Sequence, residues 1–285
     1  MSLVSPTQVS DGTTADASDV NTPINQLAAV INGNIDNSNI VSGAAIDGAK
    51  LAANSIDIGA KASTWDGWIA VTDTWTYASS TTVTVPSDAT AKYSVGDKVR
   101  FTNSGTKYFY ITAVSSTVLT LNGGSDYSLA NAAITLPFFS KEVSPTGFPD
   151  MFAFTPTWTS SGSAPSIGNG TFTGYFSMVG KKVYLRFKFV GGSTTTWGTG
   201  SYFINLPVAG YSGIAANDGF TLNGYAEDLS TVAYTVLGAK MDNTSRFYVF
   251  IYAPQTTSAS YWAQTQPFTW GTADYWSATG WYDAA

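Results

Sequence analysis

Between positions 34 and 62 the aliphatic side chains Ile35, Ile40, Ile46, Leu51 and Ile56 recur every five or six residues, separated almost only by Asn, Ser, Asp, Gly, Ala and Lys. That spacing is neither the 3.6-residue period of a helix nor the two-residue period of a strand. One aliphatic group per interval gives a single chain too little apolar surface to offset the entropy of ordering it. Identical copies alongside would supply the missing surface, so the segment is expected to be a shaft in which three chains bring these side chains to a common axis. The pieces Asn-Ser-Asn-Ile at 37–40, Gly-Ala-Ala-Ile-Asp-Gly-Ala-Lys-Leu at 43–51 and Asn-Ser-Ile-Asp-Ile-Gly-Ala-Lys at 54–61 fit one unit stacked on the next. The same Gly, Ser and Asn content would also suit a disordered linker.

Upstream, Val20, Ile24, Leu27 and Ile31 are spaced by four, three and four residues, which puts them on one stripe of a short helix within 16–33. Thr22 can cap it with Pro23 at the first helical position, and Gly33 can end it. A start near Asp16 would place Pro23 in the interior and kink the helix, so the later start is the expectation. A helix of about three turns does not persist alone. Ile24, Leu27 and Ile31 are therefore expected on the trimer axis with the shaft aliphatics; packing on a domain of the same chain is the other solution.

From Trp65 the pattern changes to aromatic and β-branched runs that read as strands: 81–85, 98–101, 108–114, 117–121 and 132–139, with turn signals at Val95-Gly-Asp97, Asn103-Ser-Gly105 and Asn122-Gly-Gly124. Short strands at this spacing describe a small barrel or a compact sandwich, and a small β-barrel-like module is the expectation. The run Ser144-Pro-Thr-Gly-Phe-Pro149 cannot continue a ladder and marks a boundary. Beyond it, strands are expected at 152–158, 170–178, 182–190, 201–206, 220–227, 231–241, 247–252 and 268–276. In the second of these modules Val183, Leu185, Phe187 and Phe189 alternate with Tyr184, Arg186 and Lys188, the pattern of a strand with one buried and one wet face. The expected fold class is mainly β: a short N-terminal helix and extended trimeric shaft, a small β-barrel-like module and a C-terminal jelly-roll-like β-sandwich. The expected domains are 1–33, 34–63, 64–148 and 149–285.

Charged residues make up 11% of the chain and aromatics 14%, against the roughly 25% charged residues of an ordinary soluble domain, a balance that suits extracellular β proteins. A net charge of −6 without any basic run argues against a nucleic-acid partner. With no Cys and no His, the chain has no thiolate nucleophile and lacks the commonest zinc ligand and the commonest neutral-pH base. No cofactor and no metal are expected. The first ten residues lack the basic and apolar regions of a signal peptide, and no apolar run approaches a membrane span. These features lead to the expectation of a protein made in a host cytoplasm, displayed on a virion exterior and not inserted in a membrane.

Three segments resemble tailed-bacteriophage fibre and tail-associated proteins. Asp11-Gly-Thr-Thr-Ala-Asp-Ala-Ser-Asp-Val20 with Ile35-Asp-Asn-Ser-Asn-Ile40 is similar to their attachment region. Val95-Gly-Asp-Lys-Val-Arg-Phe101, Lys107-Tyr-Phe-Tyr-Ile111, Ser125-Asp-Tyr127 and Gly147-Phe-Pro149 resemble a small β module of such proteins. Thr157-Trp158, Ile167-Gly-Asn-Gly-Thr171, Gly180-Lys-Lys-Val183, Gly192-Ser-Thr-Thr-Thr196 and Leu206-Pro207 are similar to a C-terminal fibre module. The resemblance implies a homotrimeric virion protein whose N-terminus plugs into a capsid or tail protein and whose tip faces the host. It carries no set of binding residues.

Adhesion to a host-surface glycan would use exposed aromatic faces flanked by carboxylates and amides. The candidates are Trp197, set among turn residues, and Tyr261, Trp262, Trp270, Tyr275, Trp276 and Trp281, with Tyr282, Asp274 and Asp283 close by; residues 255–266 read as a long loop. Such rings equally suit a core or a trimer interface. A glycan hydrolase would need two carboxylates at a working separation. Glu227 and Asp228 are adjacent, and neighbours on a strand point to opposite faces, so a turn suits them better than a dyad. Asp218, Asp228, Asp242 and Asp274 could hold a hard cation, although hairpin turns account for their setting more simply. The expectation is a non-enzymatic adhesive fibre; the alternative is an architectural head-decorating fibre, collar or tail component without a receptor.

Overall fold

The computed structural model describes residues 14, 16–31, 66–213, 219–231, 233–251 and 260–285. The chain divides into two units, Met1–Thr64 and Trp65–Ala285. In the first, the described part is helix α1 (Ala17–Ile31). The proposed axis positions Ile35, Ile40, Ile46, Leu51 and Ile56 lie outside the described residues. Helix α1 begins earlier than its sequence suggests. Asp16 Oδ1 accepts the Ser18 backbone N–H at 2.7 Å and also the Ser18 hydroxyl, satisfying one of the free donors of the first turn. Pro23 consequently sits inside the helix and not at its first position. Val20, Ile24 and Leu27 are exposed.

The second unit contains two antiparallel sheets. The first comprises β1 (Ile69–Ala70), β2 (Thr76–Ser79), β3 (Thr82–Thr84), β4 (Lys98–Thr102), β5 (Thr106–Val114), β6 (Val118–Asn122) and β7 (Thr135–Ser140), in the order β1-β7-β4-β5-β6-β3-β2. Alternate residues Val83, Val99, Phe101, Phe109, Ile111, Leu119 and Leu121 fill its interior around Trp75, whose ring meets Tyr93 and Phe101 edge-on at 5.8 and 5.9 Å. Register shifts at Tyr77/Ser79, Arg100/Thr102 and Ile111/Ala113 add local twist, and the sheet is curled and partly barrel-like.

The second sheet comprises β8 (Phe152–Phe154), β9 (Trp158–Ser160), β10 (Thr171–Val179), β11 (Lys182–Val190), β12 (Tyr202–Asn205), β13 (Gly219–Asp228), β14 (Ala233–Asn243), β15 (Arg246–Ile251), β16 (Ser260–Tyr261) and β17 (Tyr275–Asp283). Its order is β8-β10-β11-β17-β13-β14-β15-β12-β9, with β16 on β15. It curls over its own inner face, because Phe187 on β11 reaches Phe247 on β15 at 5.6 Å and Phe189 reaches Trp158 on β9 at 5.1 Å. The stretch expected as one strand at 152–158 is split into β8 and β9 around Pro156, which cannot donate to a ladder. The strand expected at 268–276 is displaced: β17 starts at Tyr275, and a turn held by Asp274 Oδ2, which accepts the Gly271 N–H at 2.6 Å, occupies the residues before it.

The two sheets meet through rings and main chain. Trp68, Tyr110 and Phe148 belong to the core of the second sheet, with Tyr110 at 5.0 Å from Phe148 and 5.4 Å from Phe152. The Ser144 to Pro149 segment leaves the ladder as its prolines require, and its Phe148 fills this joint. Ser125 N–H donates to the Ala153 carbonyl at 2.7 Å, and Ala153 N–H donates to Asp126 Oδ2 at 2.8 Å. Gly124 and Gly96 both have positive φ, and a Cβ there would lie 1.9 Å from the Ala153 carbonyl oxygen and 2.0 Å from that of Gly180. Only glycine allows so close an approach.

Tyr282 ties β17 to the segment after β12. Its phenol donates to the Val208 carbonyl at 2.6 Å and accepts the Val208 N–H at 3.3 Å, all buried. Replacing Tyr282 with Phe strands both backbone groups, and denaturant unfolding should show a loss of about 1–3 kcal/mol. Burial pushes the Tyr282 and Tyr202 phenols up from their ordinary value. A raised folded value favours the neutral form, so this contribution is complete below the unfolded phenol value of about 10 and declines as pH rises above it. Melting temperature should therefore fall above about pH 10, with phenolate absorbance of these two residues developing only as the protein unfolds.

Candidate functional surface

The pleat sends alternate residues of β10, β11, β17 and β13 outward, and the antiparallel register sets them in rows. One row runs Ser177, Tyr184, Trp281; the next Tyr175, Arg186, Thr279, Asn223; the third Thr173, Lys188, Ser277, Tyr225; and beyond it Tyr275 faces Glu227. Trp281, Tyr184, Tyr175 and Tyr225 are 37%, 40%, 41% and 43% exposed. Their clustering on one face, and not the exposure of any one ring, is what distinguishes this surface from the scattered exposed side chains of ordinary monomers.

Cations and acids are interleaved with these rings. Lys182 Nζ stands 3.4 Å from the centre of the Trp281 ring and 3.1 Å from Asp283 Oδ1, a cation–π contact closed by an ion pair. The Tyr275 hydroxyl donates to Glu227 Oε2, and this bond holds the phenol protonated above its ordinary range. Tyr225 meets the Tyr275 ring edge-on at 5.9 Å, and Lys188 Nζ lies at the same distance from it. Between the rows Thr173, Tyr175, Arg186, Lys188 and Ser277 line a depression of about 330 Å³. Further around the same outward side, Tyr261 accepts a hydrogen bond from Lys240 Nζ at 3.0 Å and packs on Tyr248 at 4.8 Å, with Arg246 over Phe203 at 4.0 Å.

The seven aromatic candidates separate by the side of the sheet they occupy. Trp281, Tyr275 and Tyr261 are on the outward side. Trp262, Trp270 and Trp276 are 1%, 4% and 1% exposed, so their faces are covered by the protein and they serve the core. Trp262 is stacked on Trp158 at 5.3 Å and Trp276 lies 5.3 Å from Trp262. Trp197 folds inward from its turn, half-buried, onto Trp270 at 5.6 Å and Phe189 at 5.6 Å. Residues 255–259 of the expected long loop lie outside the described residues; Ser260 and Tyr261 form β16 and Trp262 is core. Tyr175, Tyr184, Tyr225 and Arg186 were absent from the sequence candidates, although the alternation along 182–190 already assigned Tyr184, Arg186 and Lys188 to the wet face.

The acidic candidates are engaged. Asp228 accepts from Ser230 and Thr231, which hold it below its usual value; Asp274 accepts the Leu229 and Gly271 N–H groups; Asp242 pairs with Arg246 at 2.7 Å. Asp218 lies outside the described residues. Among the described residues no group of three or more His, Cys, Asp or Glu side chains is placed to hold a metal ion, and no helix is long and apolar enough to cross a membrane.

No family model, curated protein or solved structure matches the chain. Its chemistry has to be read from the outward face itself: flat rings for C–H groups, hydroxyls and carboxylates for hydroxyls, and cations beside both.

The inward and outward tryptophans of β17 should behave differently when truncated. Trp276→Ala is expected to cost about 3–5 kcal/mol in denaturant unfolding, as a core cavity does. Trp281→Ala loses one exposed ring and one cation–π contact and is expected to cost no more than about 2 kcal/mol.

Proposed function

We propose that this chain is a virion structural protein, a homotrimeric fibre of the tailed-bacteriophage type, whose outward C-terminal face adheres to a host cell-surface glycan. The observation that carries the reading is the outward face of exposed rings, Trp281, Tyr184, Tyr175 and Tyr225, spread over three adjacent rows and set among Lys, Arg, Asp and hydroxyl side chains. Sugar rings present C–H groups on one face and hydroxyls at the edge, and this surface offers partners for both. The exposed Val20, Ile24 and Leu27 of α1 support self-association, because a stripe of this kind is covered when helices of sister chains meet.

In this reading residues 1–33 anchor the fibre to a capsid or tail protein, 34–63 form the trimeric shaft, and the first sheet is its small β-barrel-like module. The second sheet is a jelly-roll-like sandwich displayed at the particle exterior. A weak site repeated three times per fibre gains strength through effective concentration, and no catalysis is required. No nucleic acid, membrane insertion or cofactor takes part.

Two measurements on the full chain test this. Light scattering should give about three times the 30.1 kDa chain mass. On an array of bacterial surface glycans the protein should bind at least one class, with the signal lost in Trp281→Ala at unchanged mass and secondary structure. A monomer would remove the fibre; a trimer silent across the array would leave the architectural head, collar or tail component in its place.

A further inference from the structure

We infer that the glycan recognised by this face is acidic, and that the depression between β10 and β17 holds its oxyanion on Arg186. The inference rests on the adhesive reading above and specifies its ligand class. The chain has three arginines. Arg100 is committed to Asp66 at 3.5 Å and lies over the Trp68 and Phe138 rings at 4.8 and 4.4 Å. Arg246 is committed to Asp242 at 2.7 Å and to the Phe203 ring at 4.0 Å. Arg186 is exposed and, among the described residues, has neither an ion pair nor a ring contact.

Its surroundings explain what such a group would be for. Across the ladder Arg186 is flanked by Tyr175 and Thr279, and Lys188, two residues along on the same face, by Thr173 and Ser277. These four neighbours are hydroxyl-bearing side chains, and none is a carboxylate. The nearby acids are already taken: Asp283 pairs with Lys182, and Glu227 accepts the Tyr275 hydroxyl. A protein of net charge −6 therefore leaves two like charges side by side on a central strand with no internal counter-ion among the described residues. Lys188 has the Tyr275 ring at 5.9 Å and solvent screens both charges, so the site is tolerated empty, while an external anion would supply the counter-charge that no described side chain provides.

The depression of about 330 Å³ is at the small end of ligand-site volumes, enough for one substituted sugar and too little for a longer buried ligand. A guanidinium presents two parallel N–H donors that match a carboxylate or a phosphate. Thr173 and Ser277 can reach the sugar hydroxyls, and the Tyr175 ring, exposed at the wall, can take its C–H face. The shared chemistry is an oxyanion carried on a sugar, whether a uronic acid carboxylate or a phosphate ester.

Calorimetry on the full-length protein with three probes tests this: an oligosaccharide containing a hexuronic acid, the same backbone bearing a phosphate ester, and the neutral parent. One or both acidic probes should bind about 10- to 100-fold more tightly than the neutral one, the advantage shrinking as salt is raised. Arg186→Ala and Arg186→Gln should each erase that advantage, while Arg186→Lys keeps part of it, all at unchanged oligomer mass. Which acidic probe leads identifies carboxylate or phosphate as the natural group. Equal affinity for acidic and neutral probes, or an acidic preference untouched in both Arg186 variants, overturns this inference and leaves adhesion standing. No binding by any probe, with silence on the wider glycan array, removes both. Should Arg186→Ala fail to fold, the Gln variant and the salt dependence of the wild-type protein still decide the matter.

Discussion

The pleat of β11 is the constraint on which the rest of the second sheet depends. Val183, Leu185, Phe187 and Phe189 are buried, so Lys182, Tyr184, Arg186 and Lys188 must point away from the core. A slip of one residue would send three cations into an aromatic interior, which no partner there could neutralise. The core thereby fixes the register of the neighbouring β10 and β17, and the register in turn sets which rings and cations share a row on the outside. Packing and surface chemistry are two results of one alternation.

The same logic extends through the curl. Because β11 faces β15 and β9 across the interior, its phenylalanines are shared by strands far apart in the sheet order. Aromatic rings contribute both area and edge-to-face geometry to such a core. Trp158, Trp262 and Trp276 lie within it in successive ring contact, and their indole nitrogens have no hydrogen-bond partner among the described residues. Area buried by the rings has to outweigh those orphan donors.

Much of the β architecture was legible because strand periodicity is local. The run from Lys182 to Val190 declares its two faces without reference to anything else in the chain, and β4, β5 and β6 begin or end within two residues of their sequence boundaries. Parity also carried information about the tryptophans: Trp276 and Trp281 are five apart, so on one continuous strand they cannot share a face. Using it required knowing that the strand runs from Tyr275 to Asp283, and the Phe268 and Trp270 rings drew the expected strand too early. Trp197 sits among turn residues that suggest exposure, yet Gly191 and Gly198 let the loop close tightly and tip the ring inward: a Cβ at Gly191 would lie 3.1 Å from that ring, and one at Gly198 2.1 Å from the Ser163 carbonyl oxygen. The start of α1 depended on a choice between two caps, Asp16 and Thr22, which composition alone does not rank. Tyr175 and Tyr225 are not apparent from the sequence because each is the one ring among the outward positions of its own strand, 173, 175 and 177 in β10 and 223, 225 and 227 in β13, and becomes part of a surface only through pairing.

The joint between the sheets has a mechanical corollary. At Gly96 and Gly124 the backbone of the first sheet bears directly on the backbone of the second, with no side chain interposed. A flexible tether dissipates a pull by bending, whereas a seam of this sort has no slack to take up. Force passing between the sheets would cross short-range main-chain contacts and the Ser125–Ala153 hydrogen bond, which are lost within a small displacement, so the two sheets would resist shear as one piece and part abruptly.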